Sequence, residues 1–237
     1  MISIGEAARE RHSVRQYTDE PLSAEQRRVL EAEISLCNAE GNLHMSLVCD
    51  EPEAFASGLA HYGSFRGVSN YIVIAGAPAA DLDRRAGYYG ERLVLLAQQL
   101  GLNTCWVALT FKKRLVRKSL AAGEKLSIVI SVGHGATQGA PHKNKPVEKL
   151  FSCAGEVPAW FARGMEFALL APTAVNQQKF HFELVDGGAG DSLPVVRATT
   201  ARGPYAQVDL GIAMLHFELG AGMAPGSGDN RVFAWQL

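Results

Sequence analysis

Residues Arg11 to Tyr17 read RHSVRQY and run into a turn and helix start, TDEPLSAEQ. Alternate residues of an extended segment share one face. Arg11, Ser13 and Arg15 are therefore expected to turn guanidinium forks and a hydroxyl toward one anion. The competing reading is a solvated basic patch beside a helix N-terminus, and a single short motif does not decide between them. A second stretch weighs on the choice. Ala171 to Phe182, APTAVNQQKFHF, follows an apolar helical run and leads into a strand.

Two further segments lie between these: Gly87 to Phe111 (GYYGERLVLLAQQLGLNTCWVALTF) and Val132 to Phe151 (VGHGATQGAPHKNKPVEKLF). Together the four resemble the FMN-dependent nitroreductase family. Its members open on R-x-S-x-R and carry A-P-S-x-x-N-x-Q-P-W before a strand. They also have a central helix continuing as G-L-G-x-x-W, and a late basic segment before a Lys-Pro element. The resemblance spans most of residues 9–185. One departure is large: family members place the A-P-S-x-x-N segment close behind the N-terminal arginines, whereas here it follows the basic segment.

An apolar content of 47% with 20% charged residues is ordinary for a soluble globular chain of 237 residues. The net charge of −1 gives no bulk electrostatic case for nucleic acid or an anionic membrane. Any anion site must be local. Cys37, Cys49, Cys105 and Cys153 form no C-x-x-C pair and no ligand-like spacing with histidine, which argues against a zinc site or a disulfide framework. No run approaches the ~18 apolar residues of a membrane span, and the N-terminus lacks a signal-like pattern. A cytoplasmic location is the expectation.

Along the chain, Ser23 is expected to cap a helix reaching about Cys37, with Gln26 closing a capping box. Strands are predicted at 44–50, 70–78, 125–135, 180–186 and 231–237, and helices at 87–102, 111–122, 160–170 and 205–219. GGAGDSLP, residues 187–194, reads as a loop. The irregular alternation predicts an α+β layered fold, helices on a mixed sheet.

A repeat is also visible. Leu30 to Val48 aligns without gaps on Phe167 to Val185, placing His44 on His181. The buried helices align as well, and SIVISVG is matched to RVFAWQL as each copy's closing strand. Nothing in the second copy is matched to NYIVIAGAP. The family is usually a homodimer with flavin between subunits. Its displaced segment thus implies an internally duplicated, pseudo-dimeric chain, with halves at 1–152 and 153–237, one flavin site, and a monomer in solution.

The resemblance implies a nitroreductase-like α/β/α sandwich, largely antiparallel, that binds FMN. Its cofactor residues would be Arg11, His12, Ser13 and Arg15, the strand Trp106, Val107, Ala108 and Leu109, the loop lysines Lys143 and Lys145, and the turn Pro172, Thr173, Ala174 and Asn176. Arg11, Ser13, Lys143 and Lys145 would hold the phosphate. Arg15 would sit beside N1 and the C2 carbonyl, and Thr173 and Asn176 at the ring edge. Lysine replaces an expected arginine and loses its fork, and Lys179-Phe180 stands where the family has Pro-Trp. No catalytic residue is expected, since the flavin carries the chemistry. The implied activity takes hydride from NAD(P)H to a nitroaromatic, quinone or similar acceptor. The alternative is a flavin- or small-ligand-binding protein that kept the fold without turnover.

Overall fold

The computed structural model describes residues 1–56, 65–186, 193–223 and 232–237. Two compact units divide between Pro141 and His142. The expected boundary lay at residue 152. The difference arises because Phe151–Cys153 joins the sheet of the second unit.

Unit 1 contains α1 (Ile4–Glu10), α2 (Ala24–Gly41), β1 (His44–Val48), β2 (Tyr71–Gly76), α3 (Leu82–Gln99), β3 (Asn103–Val107), the single turn α4 (Lys113–Val116) and β4 (Lys125–Gly133). Its sheet has the order β1-β2-β4-β3, antiparallel throughout. The Ser23–Gln26 capping box opens α2 as expected, and Ser3 with Glu6 closes another on α1. Asn38 was expected to break α2 but stays helical, and Asn42 ends the helix at φ +46°. The Asn38 side chain instead serves the sheet edge. Its amide donates to Met45 O at 3.0 Å and its carbonyl accepts Met45 N–H at 2.7 Å. Only one turn of the basic helix expected at 111–122 is α-helical, with a 3-10 turn to Ser119. Short helices are marginal without a long apolar face.

Strand β2 is buried at every position. Tyr71 and Val73 join a cluster with Phe55, Phe65 and Phe111, while Ile74 lies against Gly90 of α3. Burial on both faces explains why NYIVIAG reads as an unbroken apolar run rather than an alternating one.

Unit 2 contains β5 (Phe151–Cys153), α5 (Ala159–Ala168), β6 (Phe180–Asp186), β7 (Val195–Thr200), α6 (Ala206–Ala221) and β8 (Ala234–Gln236). Its sheet runs β5-β6-β7-β8, parallel at both outer pairs and antiparallel in the middle. Helix α6 buries every residue from Val208 to Glu218, as an all-round apolar helix should. It meets α5 closely through Gly164, where an added Cβ would strike the Phe217 ring, and Gly220, where it would strike the Arg163 carbonyl.

Two strand placements bear on the expected repeat. The strand β7 pairs antiparallel with β6, with His181 opposite Thr199, much as β2 pairs with β1, with His44 opposite Ala75. Beside β6, β7 thus holds the place that β2, from NYIVIAGAP, holds beside β1. The closing strands do not correspond, because β4 runs antiparallel to β2 whereas β8 runs parallel to β7. In unit 1 the strand that leaves α3, β3, is parallel to β2 with β4 between them. Strand β8 thus runs relative to β7 as β3 runs relative to β2, and among the described residues unit 2 has no strand placed as β4 is. The side chains agree: Glu91 of α3 accepts the Trp106 indole N–H at 2.9 Å, and Glu218 of α6 accepts that of Trp235 at 2.6 Å. Of the loop expected at 187–194, residues 187–192 lie outside the described residues, as does Arg231 of the last expected strand.

Candidate functional site

The expected cofactor residues fall into two groups, each assembled within one unit. In unit 1, Arg11 caps the end of α1, its backbone N–H bonded to Ala7 O, so the extended segment begins only after it. Ser13 then bridges Thr104 in parallel, and Val14 N–H donates to Thr104 O at 2.9 Å. Tyr17 anchors the far end: its hydroxyl donates to Val14 O at 2.7 Å and shares a 2.8 Å hydrogen bond with Ser131 Oγ. RHSVRQY is thereby tied at Ser13 and Val14 to the edge strand β3 and at Tyr17 to Arg66 and to Ser131 of β4; the end of β3 carries Trp106 and Val107, followed by Ala108 and the exposed Leu109.

Alternation predicted one shared face for Arg11, Ser13 and Arg15. Arg15 is exposed and Ser13 half-buried, but Arg11 is only 3% exposed. Its Nε lies 3.8 Å from Oε1 of Glu91, which is itself fully buried. That spacing is an ion pair without a hydrogen bond. Arg11 Nε and Nη1 are buried with no hydrogen-bond acceptor. Burial lowers the guanidinium pKa and the Glu91 charge opposes this, though arginine stays protonated in proteins. The three residues do share one neighbour. Burial pushes the Cys105 thiol up, while Arg15, the Ser13 hydrogen bond and Arg11 pull it down. His12 is half-buried beside Gly139.

In unit 2 the lysine loop and the turn form one network. The Lys143 carbonyl accepts from Asn176 Nδ2 and Gln178 Nε2, both at 2.8 Å. Lys145 N–H donates to Gln178 Oε1, and its ammonium donates to the carbonyls of Gln177 and Gln178 at 2.7 and 2.8 Å. Thr173 Oγ1 accepts Gln178 N–H at 3.1 Å. Lys143 itself is exposed and, among the described residues, pairs with no carboxylate; the same holds for Arg15. A cavity of about 660 Å³ in this unit is lined by Lys145, Lys149, Gln178, Lys179, His181 and Thr199, among others.

The turn is strained. Val175, Asn176 and Gln178 all have left-handed backbone, at φ +47°, +55° and +38°. For a β-branched residue this is an outlier, and Val175 is 95% exposed, so packing does not explain its identity. Beneath the turn lies Asp209 of α6, 3% exposed, a residue the sequence reading missed. Its Oδ1 accepts Ala174 N–H at 2.9 Å and its Oδ2 accepts Gln177 Nε2 at 2.7 Å. Burial raises its pKa to about 6 against the pull of these two hydrogen bonds. Glu91 and Gln178 were missed too. An acidic residue inside an otherwise apolar helical stretch was the available signal for Glu91 and Asp209.

A nitroreductase from Thermotoga maritima MSB8 superimposes at a TM-score of 0.62 with 21% identity, covering 92% of this chain and 83% of that one. An NADH dehydrogenase/NAD(P)H nitroreductase from Parabacteroides distasonis ATCC 8503 does so at 0.51 with 22% identity, over 63% and 97%. The fold is the α+β fold of nitroreductases. The family model described as "Putative TM nitroreductase" matches residues 3–221, and the chain belongs to that family. No curated protein matches the sequence. Among the described residues, no helix is long and apolar enough to cross a membrane.

Proposed function

We propose that this chain is an FMN-dependent oxidoreductase that takes hydride from NAD(P)H and delivers electrons to a nitroaromatic, quinone or similar small acceptor in a ping-pong cycle. The observation that carries the reading is the family match over residues 3–221, which takes in both groups of candidate residues. The donor set suits the cofactor. Arg15 and Lys143 are exposed cations that pair with no carboxylate among the described residues, which suits a dianionic phosphate and an electron-rich ring edge. Bound FMN would supply the two-electron chemistry at its ring.

The chain's own residues would bind and tune. Arg15 would place a fixed positive charge at the pyrimidine edge, favouring the anionic reduced form. Ser13 and Lys143 would engage the phosphate. Lys145 would reach it only by giving up the carbonyls of Gln177 and Gln178. Thr173 and Asn176, with the backbone of Trp106 to Leu109, would offer hydrogen bonds to the ring. The shared order of helix, antiparallel strand pair, helix and tryptophan-bearing strand supports an internal duplication, and with it one FMN per chain and a monomer.

The test is direct. Purified protein is titrated with FMN and then assayed for NADH and NADPH oxidation with a quinone and a nitroaromatic. Saturable flavin binding with acceptor-dependent turnover is expected. A chain that binds no flavin at saturating concentration would overturn the reading, and one that binds FMN without turnover would restrict it to ligand binding.

A further inference from the structure

Asp209 is a buried carboxylate with no cation to answer it. Among the described residues it makes no ion pair, and its polar partners are the Ala174 N–H and the Gln177 amide. A lone carboxylate in such a place costs stability in its charged form, because water is lost and no counter-charge replaces it. Both of its hydrogen bonds run to one short turn, and that turn holds a run of left-handed non-glycine residues. Strain of this kind persists only where surrounding bonds over-determine it, and it gathers at sites that must present groups in fixed directions.

We infer that Asp209 is a positioning residue: its carboxylate holds the 173–178 turn in the left-handed conformation that presents Thr173 and Asn176 to the cofactor. This rests on the reading that the turn meets FMN. The clamp has two jaws. From below, Asp209 Oδ1 fixes the start of the turn at Ala174 and Oδ2 fixes the Gln177 side chain. From the side, buried Gln178 ties the Lys143 carbonyl, Lys145 N–H and Asn176 Oδ1 together. The ionised carboxylate offers both oxygens as full acceptors to the two N–H donors, whereas the protonated group keeps only part of that capacity. Once protonated, one oxygen carries a hydrogen that opposes a donor. An amide at this position has the same defect permanently.

Asp209→Asn keeps the size of the side chain and removes one acceptor. FMN affinity is measured for the wild type and this variant at pH 7.5 and pH 5, with thermal stability of the flavin-free proteins alongside. The ammonium groups of Lys145, which donates to the Gln177 carbonyl, and Lys179, beside the Gln177 side chain, are the charged groups nearest this jaw and stay protonated at both pH values; taking the ratio of the two affinities cancels their effect and the titration of the FMN phosphate. At pH 7.5 the variant is expected to bind at least tenfold more weakly while its flavin-free stability is equal or higher. At pH 5 the ratio should fall toward one. A residue that merely supports the fold would lose stability along with affinity and would leave the ratio independent of pH. Amide exchange of residues 173–178 in the flavin-free proteins should be faster in the variant. Equal affinity of variant and wild type at pH 7.5 overturns the inference and leaves the flavin reading intact. Absence of flavin binding by the wild type removes that reading, and unchanged exchange then overturns the clamp as well. Should Asp209→Asn not fold, Gln177→Ala, at a half-exposed position, tests the same jaw by the same affinity and exchange measurements.

Discussion

Replacing Arg11 is the sharpest test of how unit 1 is held together. The residue was expected to face a phosphate, yet it lies inside the unit, 3% exposed, with Glu91 at 0%. An Arg11→Met variant would fill much of the space but take the guanidinium away from the buried Glu91. Glu91 would keep the Trp106 indole N–H at 2.9 Å but lose the guanidinium beside it. Breaking a buried pair from one side costs ~3–5 kcal/mol, whereas neutralising both partners is often close to neutral. The double variant Arg11→Met/Glu91→Gln keeps an acceptor for the indole and removes both charges. Urea unfolding followed by far-UV circular dichroism should show the single variant destabilised by ~3 kcal/mol or more, and the double variant restored to within about 1 kcal/mol of the wild type. A single variant costing under ~1 kcal/mol, or a double variant as unstable as the two singles summed, would refute the buried-pair account. FMN titration of the refolded double variant separates the second role. Affinity close to that of the wild type is expected, since Arg11 faces Glu91 inside the unit; a loss of tenfold or more with the fold restored would mean that Arg11 also grips the phosphate.

Other consequences follow from particular contacts. Val175→Gly should raise the melting temperature, since it releases left-handed strain of ~1–2 kcal/mol at a 95% exposed position where no packing is lost; a lower melting temperature would count against the strain. Gly220→Ala should destabilise by ~1–3 kcal/mol, because the new methyl meets the Arg163 carbonyl, which is backbone and cannot swing aside; denaturant unfolding within ~0.5 kcal/mol of wild type would contradict the close helix contact. The Asp209 pKa, raised to about 6, makes its stabilising state the protonated one. Its contribution is full below about pH 4, the unfolded value, and is lost as pH rises through 6, by up to ~3 kcal/mol. The stability advantage of Asp209→Asn should accordingly grow between pH 4.5 and 7.5, and a constant difference would exclude it. Mixing an Arg15→Ala chain with an Asn176→Ala chain tests the single-chain site: no recovery of flavin binding is expected, and recovery would mean that sites are shared between chains.

Much of the fold was legible because apolar runs and capping signals are local. The Ser23–Gln26 box, the strand at 180–186 and the fully buried α6 follow from periodicity and residue type alone. The strand at 195–200 was not read, since PVVRATT is short, carries Arg197 in its middle and follows a glycine-rich stretch. Asn38 misled because its usual role as a helix breaker was overridden by a strand that needed its side chain. The candidate site divided in the same way. Residue types pointed to the stretches, but the inward turn of Arg11 depends on Glu91, which lies far along the chain in a helix otherwise read as apolar. The sequence marks Asp209 as an acid in an apolar helix but not its role, for the same reason: its partners are backbone and amide groups of a turn that only the folded chain brings over it.

The two carboxylate–indole bonds give each unit its own optical reporter. Trp106 is the single tryptophan of unit 1, and Trp160 and Trp235 both belong to unit 2. Trp160 stacks on Phe233 at 5.4 Å, while Trp106 and Trp235 each donate to a carboxylate rooted in a neighbouring helix. Emission from a Trp160→Phe/Trp235→Phe chain therefore follows the opening of α3 from β3 and nothing else, while a Trp106→Phe chain follows unit 2. Two midpoints measured this way would reveal whether the units melt as one cooperative body or in succession, which circular dichroism averaged over the whole chain conceals.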